Sequence, residues 1–407
     1  MIIRFGAMES VFNLNKSISV KLPKIRNLII LGASGSVGRQ TFELSMAEPD
    51  KFKIKAIVSG KNIEETIRQA NLAKPDYIVM TNEDAAAAVR EAVSCKVLWG
   101  PKGQDEVISL GYDIAISAIP GIDGLVSTFK AIANSKIVAF ANKETIIYSG
   151  ERLIKEARKY GTCIIPIDSE HNAIFQILDS IDQTRVDKIT LTASGGALLN
   201  RVDMSNIKVE DVLKHPTWNM GKKITVDCAT LVNKALEVIE ARYLFGMGFD
   251  NIDIIIHPQS IIHGIVTIKD GSTIMAGGPP DMKIPISYGI NWPKIGTFSN
   301  RLNLSQMGNL TFFEPDYERF PLFKLAINAA KAGDIERIIM NYGNELAVNL
   351  FLNGAVQFKD IYELVSFALD SKVQVESNSD NFFSYVKSIC SLVEEKIIER
   401  VKNKYNS

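Results

Sequence analysis

At 407 residues the chain is longer than one ordinary core can organise, so two or three domains are expected. Hydrophobic residues at 46% and charged residues at 23% exclude a disordered chain. Lys+Arg and Asp+Glu both number 46, a balance that leaves no global electrostatic case for nucleic acid or a membrane surface as a partner.

Residues 1–24 read as an N-terminal extension with a few basic residues and no signal-peptide core followed by a cleavage site. A short leader to a plastid-type organelle, or an upstream start with Met8 as the true beginning, are alternatives. A disordered or loosely packed segment is the reading adopted. From Asn27-Leu28-Ile29-Ile30-Leu31, a continuous apolar run of the buried-strand type, strands and helices alternate. A helix is predicted over 36–47, a strand over 52–58, then helix 63–73, strand 77–80, helix 83–93 and strand 96–99. Strand 114–118, helix 124–133, strand 136–139 and helix 150–160 follow. This alternation predicts a Rossmann-like, doubly wound α/β domain over residues 25–167.

Past Asp168 the texture changes to short strands (188–192, 252–256, 264–268, 273–275), a helix near 231–244 and long Gly/Pro-containing loops. An α+β catalytic domain is expected over 168–303, then a linker over 304–320 and a helical bundle over 321–407. All four histidines, His171, His215, His257 and His263, fall in the middle segment, where chemistry is therefore expected. The cysteines Cys95, Cys163, Cys228 and Cys390 form no CxxC pair, so neither a disulfide framework nor a zinc site is expected, and a reducing, cytoplasmic compartment fits. No apolar run reaches the roughly 18 residues of a membrane span.

Gly32-Ala33-Ser34-Gly35-Ser36-Val37-Gly38 joins the first strand to the first helix. Glycines there let the backbone approach a pyrophosphate, whose charge meets the helix N-terminus. The spacing G-x-x-G-x-x-G is weak evidence alone, and a turn that only packs helix on strand competes with it. The second strand ends in Ser59-Gly60-Lys61-Asn62, with no acid to hold a ribose diol. A cation there suits a 2′-phosphate and so NADPH, although a solvated loop lysine explains Lys61 equally well.

Asp168 and Glu170 flank Ser169. In an extended segment residues two apart share a face, so both carboxylates can meet one cation, Mg2+ or Mn2+ by their oxygen chemistry. An Asp that merely caps the next helix is the alternative. Asn233, Lys234 and Glu237 share a helical edge, which suits a phosphate beside a metal or else an exposed ion pair. Thr192-Ala193-Ser194-Gly195-Gly196 offers an anion nest or a plain turn. His215-Pro216-Thr217-Trp218-Asn219-Met220-Gly221 offers a flap over a substrate, or a core Trp and a helix-end His.

Together these runs, with Ala141-Asn142-Lys143-Glu144 and Gly278-Pro279-Pro280-Asp281-Met282, resemble the 1-deoxy-D-xylulose 5-phosphate reductoisomerase family, which acts in the methylerythritol phosphate route to isoprenoids. The likeness runs from Asn27 nearly to the C-terminus. It implies NADPH contacts at Ser34, Gly35, Ser36, Val37, Gly60, Lys61, Asn62, Asn142, Glu144 and Gly221. It implies a divalent ion (Mg2+ or Mn2+, with Co2+ as a further option) on Asp168, Glu170 and Glu237. A phosphorylated sugar would be held by Lys143, Ser169, Glu170, Ser194, His215, Cys228, Asn233, Lys234 and Glu237. Of the metal and sugar ligands together, Lys143, Asp168, Glu170, His215 and Glu237 would serve catalysis, with Trp218 and Met220 in a closing flap.

The resemblance also implies a homodimer. Cys228 stands where the family commonly has a phosphate-binding serine, Ile119-Pro120-Gly121 where small residues are usual, and Asn341-Tyr342-Gly343-Asn344-Glu345 replaces a more regular Asn-Ala-Ala-Asn-Glu. Two rivals are a metal-free NADPH dehydrogenase with a lysine or histidine acid/base, and a non-catalytic NADPH-sensing protein.

Overall fold

The apolar runs of the first 170 residues assemble as parallel strands covered on both faces, as their lack of alternation requires. A computed structural model describes residues 10–218, 220–296, 300–371, 373, 375 and 381–405. In chain order the elements begin with α1 (Val11–Ser17), β1 (Arg26–Leu31), α2 (Ser36–Ala47), β2 (Phe52–Val58), α3 (Ile63–Ala73), β3 (Tyr77–Met80), α4 (Glu83–Arg90) and β4 (Lys96–Trp99). Next come α5 (Gly100–Ile108), β5 (Tyr112–Ser117), α6 (Asp123–Asn134), β6 (Ser135–Phe140), α7 (Lys143–Ser149), α8 (Arg152–Tyr160), β7 (Cys163–Pro166) and α9 (Ser169–Ser180). Then follow β8 (Val186–Ala193), α10 (Val209–Val212), α11 (Lys222–Ala229), α12 (Val232–Phe245), β9 (Ile252–Ile256), β10 (Ile262–Ile268), β11 (Thr273–Gly277) and α13 (Lys283–Asn291). Helices α14 (Pro321–Ala332), α15 (Asp334–Leu352), α16 (Asp360–Asp370) and α17 (Phe382–Tyr405) close the chain.

Two compact units result. The first runs to Val186 and takes in Tyr243–Met247 and Ala276–Leu302; the second holds Asp187–Arg242, Gly248–Met275 and the chain from Asn303. In the first unit seven strands lie in the order β4-β3-β2-β1-β5-β6-β7, every pair parallel. The chain winds outward from β1 to β4, then restarts on the other side of β1 at β5. The loops after β1 and β5 therefore flank the switch point where such sheets bind ligands. Ala118 N donates to Leu31 O at 3.0 Å, which ties the two loops together.

The units do not follow the boundary drawn from sequence at residue 168. Helix α13 packs on α2, α9, β6 and β7. Its Gly289 leaves no room for a side chain beside Ile167, and Arg26 holds the carbonyls of Ile290 (2.6 Å) and Trp292 (3.0 Å). Sequence distance hides this return of the chain.

The N-terminal segment also differs from expectation. Residues 11–17 are helical, Ser10 accepts from Asn13 N at 3.3 Å as the cap, and Val11, Phe12 and Leu14 are buried. An apolar cluster at i, i+1 and i+3 gives this short helix something to pack, which is what short helices require.

In the second unit four strands lie in the order β11-β10-β8-β9, with β8 and β9 parallel. Helix α15 lies among α11, α14, α16 and α17. No described helix is long and apolar enough to cross a membrane.

Candidate active site

The turn after β1 is a matter of main-chain space. Gly32 has φ +89°, and a Cβ on it would fall 2.5 Å from Ala118 O; one on Gly38 would fall 2.3 Å from Gly32 O. Gly35 is the N-cap of α2 without a side-chain cap bond, and the first turn of α2 has no acid. Main-chain N–H groups at a helix N-terminus are thereby left facing outward, with Gly35 and Ser36 exposed and Ser34 and Val37 half-buried. Gln69 donates to Ala33 O at 2.9 Å and pins the loop from below.

At the end of β2, Lys61 and Asn62 are exposed. Asn62 caps α3 by accepting from Glu65 N at 3.1 Å, so this residue has a structural duty whatever else it does. Gly60 has open space where a Cβ would go, so packing does not demand its glycine. Asn142 caps α7 (Thr145 N, 3.3 Å) and donates to Gly121 O at 3.3 Å, joining the Ile119-Pro120-Gly121 loop to the start of α7. Glu144 is buried two residues after Asn142, and Gly221, in the second unit, is the exposed N-cap of α11.

Asp168 is not a plain helix cap. It does occupy the N-cap of α9, yet its side chain makes no cap bond. Its Oδ2 instead sits 2.8 Å from Lys143 Nζ, and His171 Nδ1 lies 3.9 Å from its Oδ1. The convergence with Glu170 comes from the helix start rather than from an extended strand, because Ser169 and Glu170 are already helical. Carboxylate oxygens of Asp168 and Glu170 come within 4.8 Å of one another, and Ser169 Oγ donates to Glu170. Two neighbouring carboxylates and one buried lysine counter-charge fit a hard divalent cation, with the His171 imidazole the nitrogen donor beside Asp168.

In the second unit, Ser194 follows β8. His215 Nδ1 accepts from Thr217 N (3.2 Å) and Trp218 N (2.9 Å), so the ring proton is on Nε2, which donates to Ser194 Oγ at 2.9 Å. Gly196 N also donates to that oxygen, at 3.3 Å. With two bonds accepted, the Ser194 hydroxyl is oriented to donate, as an anion site needs. Burial holds the His215 imidazole below its ordinary pKa, in the neutral form this arrangement uses.

Gly195 and Gly196 have φ of +84° and +69°, and a Cβ on Gly196 would lie 2.6 Å from Cys228 O, so the nest and the end of α11 are in contact. Half-buried Cys228 precedes Leu231, whose φ of +60° turns the chain into α12. There Asn233 donates to Glu237 Oε1 at 2.6 Å, and Lys234 pairs with Glu237 Oε2. All three side chains are buried, with Glu237 only 1% exposed, which excludes an ordinary surface pair. Trp218 and His263 rings are 6.1 Å apart; Asn219 lies outside the described residues, and Met220 is half-buried.

His257 is structural: it bonds Thr311 O (2.9 Å) and Ile261 N (3.2 Å) and stacks on Phe312 at 4.6 Å. Sequence reasoning missed the supports. Asp227 accepts from Asn344 (2.8 Å) and Lys223 (2.9 Å), fixing α11 against α15. Arg319, in the stretch read as a linker, donates to the carbonyls of Leu198 (2.7 Å), Leu199 (2.9 Å) and Arg201, and Leu199 fills the space over Gly195.

Family models match along the chain: 1-deoxy-D-xylulose 5-phosphate reductoisomerase over residues 28–150, that family's C-terminal domain over 164–245, and a further DXP reductoisomerase C-terminal domain over 278–391. The 1-deoxy-D-xylulose 5-phosphate reductoisomerase of Clostridium tetani is 41% identical, over 94% of this chain and 100% of its own. This chain belongs to the 1-deoxy-D-xylulose 5-phosphate reductoisomerase family. The reductoisomerase of Sulfurihydrogenibium sp. is 42% identical over 88% of this chain and 95% of its own. A crystal structure of DOX-P reductoisomerase with NADPH, fosmidomycin and magnesium matches with a TM-score of 0.87 at 33% identity, covering 93% of this chain and 98% of that one. The Zymomonas mobilis reductoisomerase in complex with NADPH matches at 0.85 and 33%, covering 93% and 99%. Within this reductoisomerase fold, the glycine turn, Asp168–Glu170 and the Ser194 corner occupy the elements described above.

Proposed function

We infer that this chain rearranges 1-deoxy-D-xylulose 5-phosphate and reduces it to 2-C-methyl-D-erythritol 4-phosphate, in isoprenoid precursor biosynthesis, with NADPH and a divalent cation. The observation that carries this reading is Asp168: in a chain of this family it occupies a helix N-cap, withholds its carboxylate from the cap, and holds it against Lys143 beside Glu170. When bound, the cation supplies electrophilic polarisation of the ketose oxygens and NADPH supplies the hydride.

The chain's own residues would bind and orient. Asp168, Glu170 and Glu237 form the proposed ligand set for Mg2+ or Mn2+, with Co2+ as a further option. Ser34, Gly35, Ser36 and Val37 offer main-chain N–H groups and hydroxyls to the cofactor's pyrophosphate. Gly60, Lys61 and Asn62 take the 2′-phosphate side, and Asn142, Glu144 and Gly221 complete the cofactor contacts. Ser194, Cys228, Asn233 and Lys234, with the N-terminus of α12, hold the substrate phosphate, and neutral His215 sets the Ser194 hydroxyl to donate. Ser169, Glu170, Glu237 and Lys143 face the reacting oxygens in this assignment, Lys143 paired to Asp168. Trp218 and Met220 belong to a flap that excludes water.

Residues 25–167 would serve the cofactor, 168–303 catalysis and dimer contacts, and 321–407 the support of α11. The protein acts as a cytoplasmic homodimer in this reading, which the scattered cysteines and the exposed Ile274 and Met275 on edge strand β11 support. Glu170→Gln tests the assignment: turnover with Mg2+ should fall at least about 100-fold while NADPH affinity stays within about twofold. Full Mg2+-dependent activity in that variant sinks the role given to Glu170.

A further inference from the structure

The segment that carries Asp168 and Glu170 is gripped from outside by a helix that no part of the proposed chemistry uses. Helix α1 lies against β7, which ends two residues before Asp168, and β7 is the edge of the seven-stranded sheet. Asn15 closes that edge: its Nδ2 donates to Ile164 O at 3.0 Å, and its Oδ1 accepts from Ile164 N at 3.1 Å. One side chain thereby reproduces the pairing a neighbouring strand would give, four residues before Asp168.

The other side of the grip is aromatic. Phe12, 2% exposed, stacks on Phe175 of α9 at 4.8 Å between ring centres and on Phe245 at 5.6 Å, both at 24° between planes. Phe175 stands seven residues after Asp168 on the helix that Asp168 begins. The Phe245 ring in turn lies 6.0 Å from the ring of His171, whose Nδ1 is 3.9 Å from Asp168 Oδ1. Residues 164–175 are therefore held at the strand end by an amide and at the helix end by a ring. The acidic pair lies between the two holds. Ser10, as the cap of α1, fixes the register in which Phe12 and Asn15 are presented.

We propose that α1 is a positioning element for the acidic pair, so that Phe12 and Asn15 set how tightly Asp168 and Glu170 hold a divalent cation. The inference rests on the reading of those carboxylates as metal ligands. Neither residue reaches the carboxylates, and each acts through a neighbour: Ile164 for Asn15, and Phe175, Phe245 and His171 for Phe12. A cation site depends on ligand placement to a fraction of an ångström, so slack in β7 or α9 appears first as lost metal affinity. The cofactor turn leaves β1, three strands away from β7 in the sheet, and is outside this grip.

The test is Mn2+ affinity of the full-length protein without substrate or NADPH, read from the electron paramagnetic resonance of free Mn2+. Phe12→Ala should bind Mn2+ about three- to tenfold more weakly, less than the loss typical for a group hydrogen-bonded to a ligand. Asn15→Ala should move the same way by a smaller factor, and Phe12→Leu should recover most of the affinity. NADPH affinity, followed by fluorescence, should be unchanged in all three. Lower melting temperatures with wild-type Mn2+ affinity would mean that α1 only stabilises the fold, and would overturn the inference. Should Phe12→Ala fail to fold, Asn15→Ala carries the same test. Glu170→Gln separates the layers: lost Mn2+ binding there with wild-type binding in the α1 variants defeats this inference alone. Wild-type Mn2+ binding in Glu170→Gln defeats the metal reading and this inference with it.

Discussion

The turn after β1 and the corner around Ser194 are built by opposite means. The turn is main chain: Gly32 and Gly38 are required because a Cβ would strike a carbonyl, and the outward N–H groups need no particular side chain. The corner is side chain: His215 and Ser194 form one half-buried pair, and Asn233 and Lys234 both hold the buried Glu237. A main-chain site tolerates most substitutions and fails where space runs out. A side-chain site fails wherever one partner is removed, because buried charge is left behind.

Lys234→Met should break the corner most severely. Glu237 would keep Asn233 but lose its cation at 1% exposure, a loss of about 3–5 kcal/mol in urea unfolding. An effect below about 1 kcal/mol, the range of exposed pairs, would contradict the buried pair. On the turn, Gly32→Ala should cost about 1–3 kcal/mol through its positive φ and raise the NADPH Kd about tenfold, or 1.4 kcal/mol. Gly60→Ala, with open space at its Cβ, should change neither, and an equal loss at both glycines would erase the contrast.

A pH profile sharpens the corner further. Because burial lowers the His215 pKa, the unfolded chain binds a proton there first as pH falls. The stability contributed by the neutral ring is complete above the ordinary imidazole range near about 6.5 and is lost as pH drops through the lower folded value. Protonation also removes the acceptor used by the N–H groups of Thr217 and Trp218. Substrate KM should therefore rise on acidification more steeply in the wild type than in His215→Gln, the substrate's own phosphate titration being common to both. Parallel profiles would remove His215 from the corner's pH response. The smallest effect is expected for Cys228→Ser: a hydroxyl donates better than a thiol, so KM should fall about twofold with NADPH affinity unchanged. An unchanged KM would leave the thiol without a part in phosphate binding.

How much was legible in the sequence follows the same division. The parallel domain and the glycine turn could be read because apolar runs and φ requirements are local signals. The Asp-Ser-Glu run reads as two carboxylates meeting along an extended strand, whereas they come together at a helix start. Helix α7 escaped notice because all seven of its residues are buried, which leaves no amphipathic period to detect. The partners of Asn344 and Arg319 escaped because they lie more than 100 residues away in the chain. The N-terminal helix escaped because its stability comes from Phe175, Phe245 and Ile164 rather than from its own seven residues.

The most direct test of the whole account is product formation from 1-deoxy-D-xylulose 5-phosphate with NADPH, measured with a chelator and again after Mn2+ is restored. One NADPH should be consumed for each 2-C-methyl-D-erythritol 4-phosphate formed, with activity lost to the chelator and recovered with the metal. NADPH oxidation that ignores the chelator, or that yields no branched product, would contradict it.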